Sequence, residues 1–265
     1  MANTIGWGQG AVNNSIDWGK GKINSTNGWG DVYDSSEAGD TNIGTSAAPS
    51  FSNILSTTFD RVDTYIDLAT STNLNFSGDF TLMAWIKTDA IGSYQMIIDT
   101  STSATTGNGY SMYLQASGKI RFWSYHAGFS VDSLTTLSTS TWYHVACVHN
   151  ATVNKIYIDG VLDNTNSYSN HTTSNTTNLR IGNSSVLAGA FDGMIEEVAF
   201  FGTDESTNIN AIGSTTPTDL TTYSPTTWYR MGDNDVYPII KDVIGGNNGN
   251  MRNMSSANFV ADVPT

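Results

Sequence analysis

The chain has 265 residues, room for one large β domain with an appendage or for two small domains. Only 13% of its residues are charged and 38% are apolar, while Asn, Ser, Thr and Gly abound, a composition that favours short strands and turns over long helices. The formal charge of −13 repels phosphate backbones and anionic lipid headgroups, so nucleic acid and bare membrane are set aside as partners.

Residues 1–50 are polar and Gly-rich, and carry Trp7, Trp18 and Trp29 eleven residues apart, each followed by Gly. A helix with about 3.67 residues per turn would align the three, but each Gly costs a helix about 1 kcal/mol. An unbroken strand would throw successive Trp side chains to opposite faces. Each repeat is therefore expected to turn at its Gly, giving short extended pieces that present Trp to one side. Such pieces are too few to bury their own apolar faces. Ile5, Trp7, Ile16, Trp18 and Trp29 are thus expected to anchor the arm on a partner, with folding back over the rest of the chain as the alternative. The N-terminus lacks a basic start followed by an apolar core, so no secretory signal is read. The mature chain is expected to begin at or near Met1 and to be released by a route other than Sec export. No apolar run reaches the roughly 18 residues of a membrane span.

Residues 51–213 alternate short apolar runs with turn clusters, at the spacing of an all-β sandwich. "FTLMAWIKTD" (80–89) has two largely apolar rows, which predicts a central strand covered on both faces. "YSMYLQASGKIRFWSY" (110–125) predicts a hairpin around Ser117-Gly118. "WYHVACVHN" (142–150) is a further strand and holds Cys147, the single cysteine, which excludes an internal disulfide and a cysteine-based zinc site. Cys147 is expected to be a small buried hydrophobe. "NKIYIDGVLDN" (154–164) predicts a second hairpin, with Asp159-Gly160 supplying the positive φ angles of a tight primed turn. "FDGMIEEVAFF" (191–201) is another strand, and "DESTNINAIGS" (204–214) is the one helical candidate, capped by Asp204 or Ser206. A Thr/Pro-rich connector, "STTPTDLTTYSPTT" (214–227), leads to a last structured segment.

In this order, "FDRVDTYIDL" (59–68), "FTLMAWIKTD", "TSTWYHVACVHN" (139–150), "NKIYIDG", "LRIGNSS" (179–185) and "FDGMIEEVAFF" resemble the laminin G-like, concanavalin A-like jelly-roll family. Phe191, Gly193, Glu197 and Val198 fall on the family's Phe-x-Gly-x-Ile-Asp-Glu-Val pattern, with Glu196 in place of its Asp. The last segment, "WYRMGDNDVYPIIKDVIGGNNGNMRNM" (228–254), is similar to the piece that normally opens such domains. Sandwich termini lie close together, so this segment is expected to complete the same jelly roll from the other end. Its late placement and the Trp-Gly arm resemble proteins encoded by marine bacteriophages.

Hydrolases of this fold place carboxylates as Glu-x-Asp-x-x-Glu on one strand, so that two of them flank a glycosidic bond. That pattern is missing here. Glu196 and Glu197 are adjacent, and on a regular strand they point to opposite faces. His126, His144, His149 and His171 show no metal spacing, and no nucleophile elbow, phosphate loop or redox pair occurs. Enzymatic activity is therefore not expected. Aromatic faces stack on pyranose rings, and Arg121, Trp123 and Tyr125 on one strand face would form such a platform, the alternative being that this face is core or packs on the C-terminal segment. No cofactor is required, although Asp99, Asn108, Asp233 and Asp235 on a sandwich rim would offer oxygens to Ca²⁺.

The expectation is an all-β, two-sheet antiparallel jelly roll over residues 51–265, completed by 228–254 and preceded by an extended arm over 1–50. The resemblance implies a non-enzymatic phage surface protein located on the virion. Its arm would bind capsid or tail proteins in multiple copies, and its lectin-like module would adhere to glycans or stabilise the shell. The second reading is a free or cell-associated carbohydrate-binding module of a bacterium.

Overall fold

The computed structural model describes residues 51–68, 74–76, 78–101, 109–124, 129–150, 152–167, 179–184 and 189–265, and the short strands at 22–23 and 32–33. The predicted anchors Ile5, Trp7, Ile16, Trp18 and Trp29 lie outside these residues, as do Asn108 and Tyr125. In chain order the strands are β1 (Lys22–Ile23), β2 (Val32–Tyr33), β3 (Ser56–Asp60), β4 (Tyr65–Asp67), β5 (Phe80–Thr88) and β6 (Gln95–Asp99). They continue with β7 (Tyr110–Leu114), β8 (Lys119–Ser124), β9 (Phe129–Thr136), β10 (Trp142–Asn150), β11 (Val153–Ile158) and β12 (Val161–Ser167). After β13 (Arg180–Ile181) and β14 (Asp192–Phe201) comes helix α1 (Ile209–Gly213), then β15 (Thr227–Tyr229), β16 (Ile239–Ile240), β17 (Gly249–Arg252) and β18 (Phe259–Val260).

The chain divides into two units, Met1–Phe51 and Ser52–Thr265. In the first, β1 pairs antiparallel with β2, Lys22 opposite Tyr33. The second is built from two eight-stranded sheets. Sheet 1 runs β12-β11-β10-β5-β14-β3-β18, with β15 also paired to β14, and sheet 2 runs β16-β17-β4-β13-β6-β7-β8-β9. Every pairing is antiparallel. Strands from beyond residue 226 enter both sheets: β15 lies on β14, β17 on β4 and β18 on β3.

Side-chain alternation decides which residues meet between the sheets. Leu82, Ala84, Ile86, Val145, Cys147, Ile156, Ile195 and Val198 come from sheet 1, and Ile66, Ile98, Met112, Leu114, Ile120, Phe122 and Ile181 from sheet 2. Phe80 spans the interface, 5.0 Å from the ring of Tyr110 and 5.9 Å from that of Phe122, edge to face with the latter. Each fully buried side chain of this size contributes about 1.5–3 kcal/mol. The Asp159-Gly160 hairpin has φ of 49° and 78°, the left-handed pair that a primed turn needs. The helix is shorter than the predicted 204–214. It begins after Asn208, because the carboxylate of Asp204 accepts from the amide of Ser206 and closes a separate turn first.

One edge of the sandwich is closed by side chains. The amides of Asn164 and Asn166 on β12 donate to the carbonyls of Asp132 and Ser130 on β9, at 2.8 and 3.2 Å. The outer face of sheet 1 is covered. Met83, Trp85 and His144 are buried under α1 and the connector after it, against Ile212, Pro217 and Leu220. A Cβ on Gly213 would stand 1.9 Å from Nδ1 of His144, so the helix backbone lies directly on the imidazole. Cys147 is buried, as expected.

Candidate functional site

On β7, the residues facing away from the core are Ser111 and Tyr113, because Tyr110, Met112 and Leu114 point inward. The register carries that outward face across seven strands. Asn250 lies opposite Asp67, Asp67 opposite Arg180, and Arg180 opposite Asp99. Asp99 in turn lies opposite Ser111, Ser111 opposite Trp123, and Trp123 opposite Ser130. A continuous polar row thus crosses sheet 2 and meets an indole near its end. Arg180 stacks 4.2 Å over the Tyr65 ring and donates to the Ser184 carbonyl at 3.1 Å, while its buried Nε has no hydrogen-bond partner. Burial raises the carboxyl pKa of Asp99, and hydrogen bonds from Ser184 and Ser101 oppose that shift.

The next row along adds the aromatic surface. Tyr113 lies opposite Arg121, and Arg121 opposite Asp132. Arg121 grips Asp132 with two nitrogens, its Nη2 at 2.7 Å, and this bond holds the Asp132 carboxyl below the usual range. The same guanidinium lies 6.0 Å from the Trp123 ring. Trp123 is 6.4 Å from Tyr113, which is 5.9 Å from the exposed Tyr94. Of the predicted platform, Arg121 and Trp123 therefore share one half-buried outward face, and Tyr125 lies outside the described residues. Tyr113, Tyr94, Asp132, Asp99 and Arg180 join them. Tyr94, Asp99 and Arg180 are invisible in the sequence pattern of β8, since only the pairing of separate strands brings them together.

Among the described residues, the predicted calcium ligands Asp99, Asp233 and Asp235 do not form one group, and Asn108 lies outside them. Asp99 belongs to the sheet 2 row, and Asp235 accepts from the amides of Gly232 and Lys241, both at 2.8 Å, closing a turn. Asp233 alone joins an acidic group, with Glu196 and Glu197.

That group corrects the expectation that Glu196 and Glu197 face opposite ways. Glu196 lies opposite Trp85 and Ala199 opposite Met83, so β14 carries one more residue than β5 between these pairs. The extra residue is a β-bulge, and Glu197 adopts φ 49° within it. Both carboxylates and that of Asp233 consequently offer oxygens within 4.8 Å of one another, and all three residues are buried. Arg230 spans two of them, with Nε 3.1 Å from Glu197 and Nη2 2.8 Å from Asp233. Trp228 donates its indole N–H to Glu197. The amides of Ile54 and Leu55 donate to Asp233, each at 3.1 Å. Burial and then the charges of Glu197 and Asp233 push the Glu196 carboxyl up to about 10, and burial pushes Glu197 up to about 7.

A family model described as concanavalin A-like lectin/glucanases superfamily, of laminin G type, matches residues 60–208, more than half of the chain. Among solved structures, a proposed carbohydrate binding protein from Bacteroides ovatus ATCC 8483 superposes with a TM-score of 0.64 at 18% identity, over 81% of this chain. The chain spans 62% of that protein's length. The heptameric SAP-like pentraxin of Limulus polyphemus superposes with a TM-score of 0.50 at 15% identity, over 80% of this chain and 93% of its own. No curated protein matches the sequence.

Proposed function

Since this chain belongs to the concanavalin A-like lectin/glucanases superfamily, we propose that it is a non-catalytic module that holds a carbohydrate at the outward face of sheet 2, where Arg121 and Trp123 are half-buried. The observation that carries this reading is the juxtaposition of the half-buried Trp123 and the exposed Tyr94, both packed on the buried Tyr113, with Arg121 and Asp132 at the end of the cross-strand polar row. A pyranose offers apolar C–H faces that pack on aromatic rings, and hydroxyls that exchange hydrogen bonds with carboxylates and guanidinium groups. Fixed ion pairs and stacked rings hold their geometry without ligand, which lowers the ordering cost of binding.

The superfamily also contains glucanases, whose chemistry needs two carboxylates flanking a reachable bond. Here the close pair, Glu196 and Glu197, is 0% and 4% exposed, which favours binding without hydrolysis. The free or cell-associated module therefore takes precedence over display on a virion, which rests on the late placement of residues 228–254 and on the Trp-Gly arm. A glycan array tests the reading directly. Wild-type protein is expected to retain a discrete set of neutral or acidic saccharides that Trp123→Ala loses; no retained saccharide, or equal retention by the variant, overturns it.

A further inference from the structure

The outer face of sheet 1 carries a second cover besides α1, supplied by the segment after β17. Trp142 lies opposite Lys87, Lys87 opposite Met194, and Met194 opposite Thr58, so one row of outward side chains crosses β10, β5, β14 and β3. Asp262 reaches this row. Its carboxylate accepts from the Lys87 ammonium at 2.6 Å and from the Trp142 indole N–H at 3.0 Å, and its carbonyl accepts from the Ser56 hydroxyl at 2.7 Å. Just before it, β18 adds itself to the edge of sheet 1, Phe259 opposite Thr57 and Val260 opposite Ser56. Pro264, just after it, is buried. Residues 259–264 thus form a strap held in the manner of an added strand, by main-chain pairing with an edge and by a pocket that reads one side chain. The pocket is chemically specific, since an ammonium and an indole N–H converge on the two oxygens of one carboxylate.

The hold on this strap is local. Both residues of β18 are half-buried, and the Asp262 side chain is 39% exposed. The turn before it, Ser255–Asn258, closes on itself: Ala257 donates its amide to the Ser255 hydroxyl, and Ser255 donates its amide to the Asn258 side chain. This turn is tied to β3 by the Asn258 amide on the Thr58 carbonyl, at 2.9 Å. Turn and strap can therefore leave β3 as one piece, pivoting at Asn253 and Met254, a local opening that leaves the core of the sandwich in place. The open seat is an unpaired edge beside an ammonium and an indole N–H, and the departed strap is a strand with a carboxylate to place. Each supplies what the other lacks. We propose that the strap is exchangeable, and that its seat on sheet 1 takes residues 259–264 of a second copy of this chain. The exchanged pair makes the same contacts as the single chain, so concentration and the pivot decide between them. The seat lies on sheet 1, and the proposal stands independently of carbohydrate binding on sheet 2.

Directly opposed residues of an antiparallel pair lie within disulfide reach, which makes Ser56 and Val260 a reporter of where the strap sits. Cys147 is buried and stays out of the reaction. In the full chain, the double variant Ser56→Cys/Val260→Cys should close an intrachain disulfide under mild oxidation. The two single variants, mixed at high concentration, should yield a disulfide-linked dimer of one chain of each, in excess of any dimer that either forms by itself. A closed double variant with no such excess in the mixture overturns the exchange, and a double variant that fails to close overturns the seat and the proposal with it. Should the cysteine variants fail to fold, a labelled peptide of residues 257–265 decides the matter. The full-length Asp262→Asn chain, whose own strap is loosened, should bind it about ten-fold more tightly than wild type, because a seat that is open more often captures more. Adding Lys87→Met should abolish that gain. No binding, or equal binding by wild type and both variants, overturns the proposal.

Discussion

Arg230 holds Glu197 in the bulge of β14, its Nε 3.1 Å from one carboxylate oxygen, with the two side chains 9% and 4% exposed. The same guanidinium reaches Asp233 at 2.8 Å and the Ser52 carbonyl, so one planar group ties β15 to the start of the domain. Removing one partner from a buried ion pair costs more than the pair contributes, because the other charge is left unpaired. Arg230→Ala is expected to destabilise the domain by about 3–5 kcal/mol. Arg230→Lys keeps the charge but cannot make all three contacts, and should lie between it and wild type. Urea unfolding of the three proteins gives the order.

Gly193 falls on the family's Phe-x-Gly pattern for a steric reason. It has φ of 130°, and a Cβ there would stand 2.1 Å from the carbonyl oxygen of Lys87 on the paired β5. Gly193→Ala therefore meets both a backbone conformation closed to L side chains and a clash with main chain that cannot yield. A loss of about 3 kcal/mol or more is expected, measured as a fall in urea midpoint or in the soluble fraction.

His144 makes stability sensitive to acid. It is 1% exposed, faces Trp85 and Gly213, shares a small buried gap with Glu197, and has the Asp159 carboxylate on its backbone amide. Burial lowers its pKa to about 3 from the ordinary imidazole value of 6.5. The folded pKa is depressed, so between these values the unfolded chain binds the proton that the folded one refuses. This contribution is complete above pH 6.5 and declines as pH falls towards 3, with a limiting slope of about 1.4 kcal/mol per pH unit. His144→Leu should flatten that part of the stability curve, and the difference between the two curves separates it from carboxylates titrating in the same range. Parallel curves would refute it.

On the sheet 2 face, Trp123→Ala should weaken saccharide binding about ten-fold or more while leaving Tm within a few degrees, since the indole is only half-buried. Arg121→Lys keeps the charge but loses the two-nitrogen grip on Asp132, and should weaken binding by a smaller factor. Calorimetric titration with the strongest array ligand measures both. Equal affinities in wild type and Trp123→Ala would place the site elsewhere.

Much of the fold was legible because it is local. The doubly apolar "FTLMAWIKTD" is the buried β5, and Asp159-Gly160 takes the two positive φ angles that its turn requires. Arg121 and Trp123 could be placed on one face of β8 from alternation alone. The helix was overextended because Asp204 spends its capping oxygen on a turn ahead of it. Of the rim expected from Asp99, Asn108, Asp233 and Asp235, Asn108 lies outside the described residues, and the other three take separate roles because acidity along the chain carries no information about which sheet a carboxylate joins.

The sequence by itself determined the strands, their turns, the inward and outward rows of each, and membership in the superfamily, since period-two alternation and turn chemistry are properties of neighbouring residues. Only the tertiary structure decided which side chains cluster. The polar row from Asn250 to Ser130 exists through the register of strands far apart in the chain. The bulge at Glu197 is a mismatch between β14 and β5, and neither strand contains it alone. Two adjacent glutamates that alternation sends to opposite faces therefore share one buried centre with Asp233, because pairing across the sheet forced an extra residue out of the ladder.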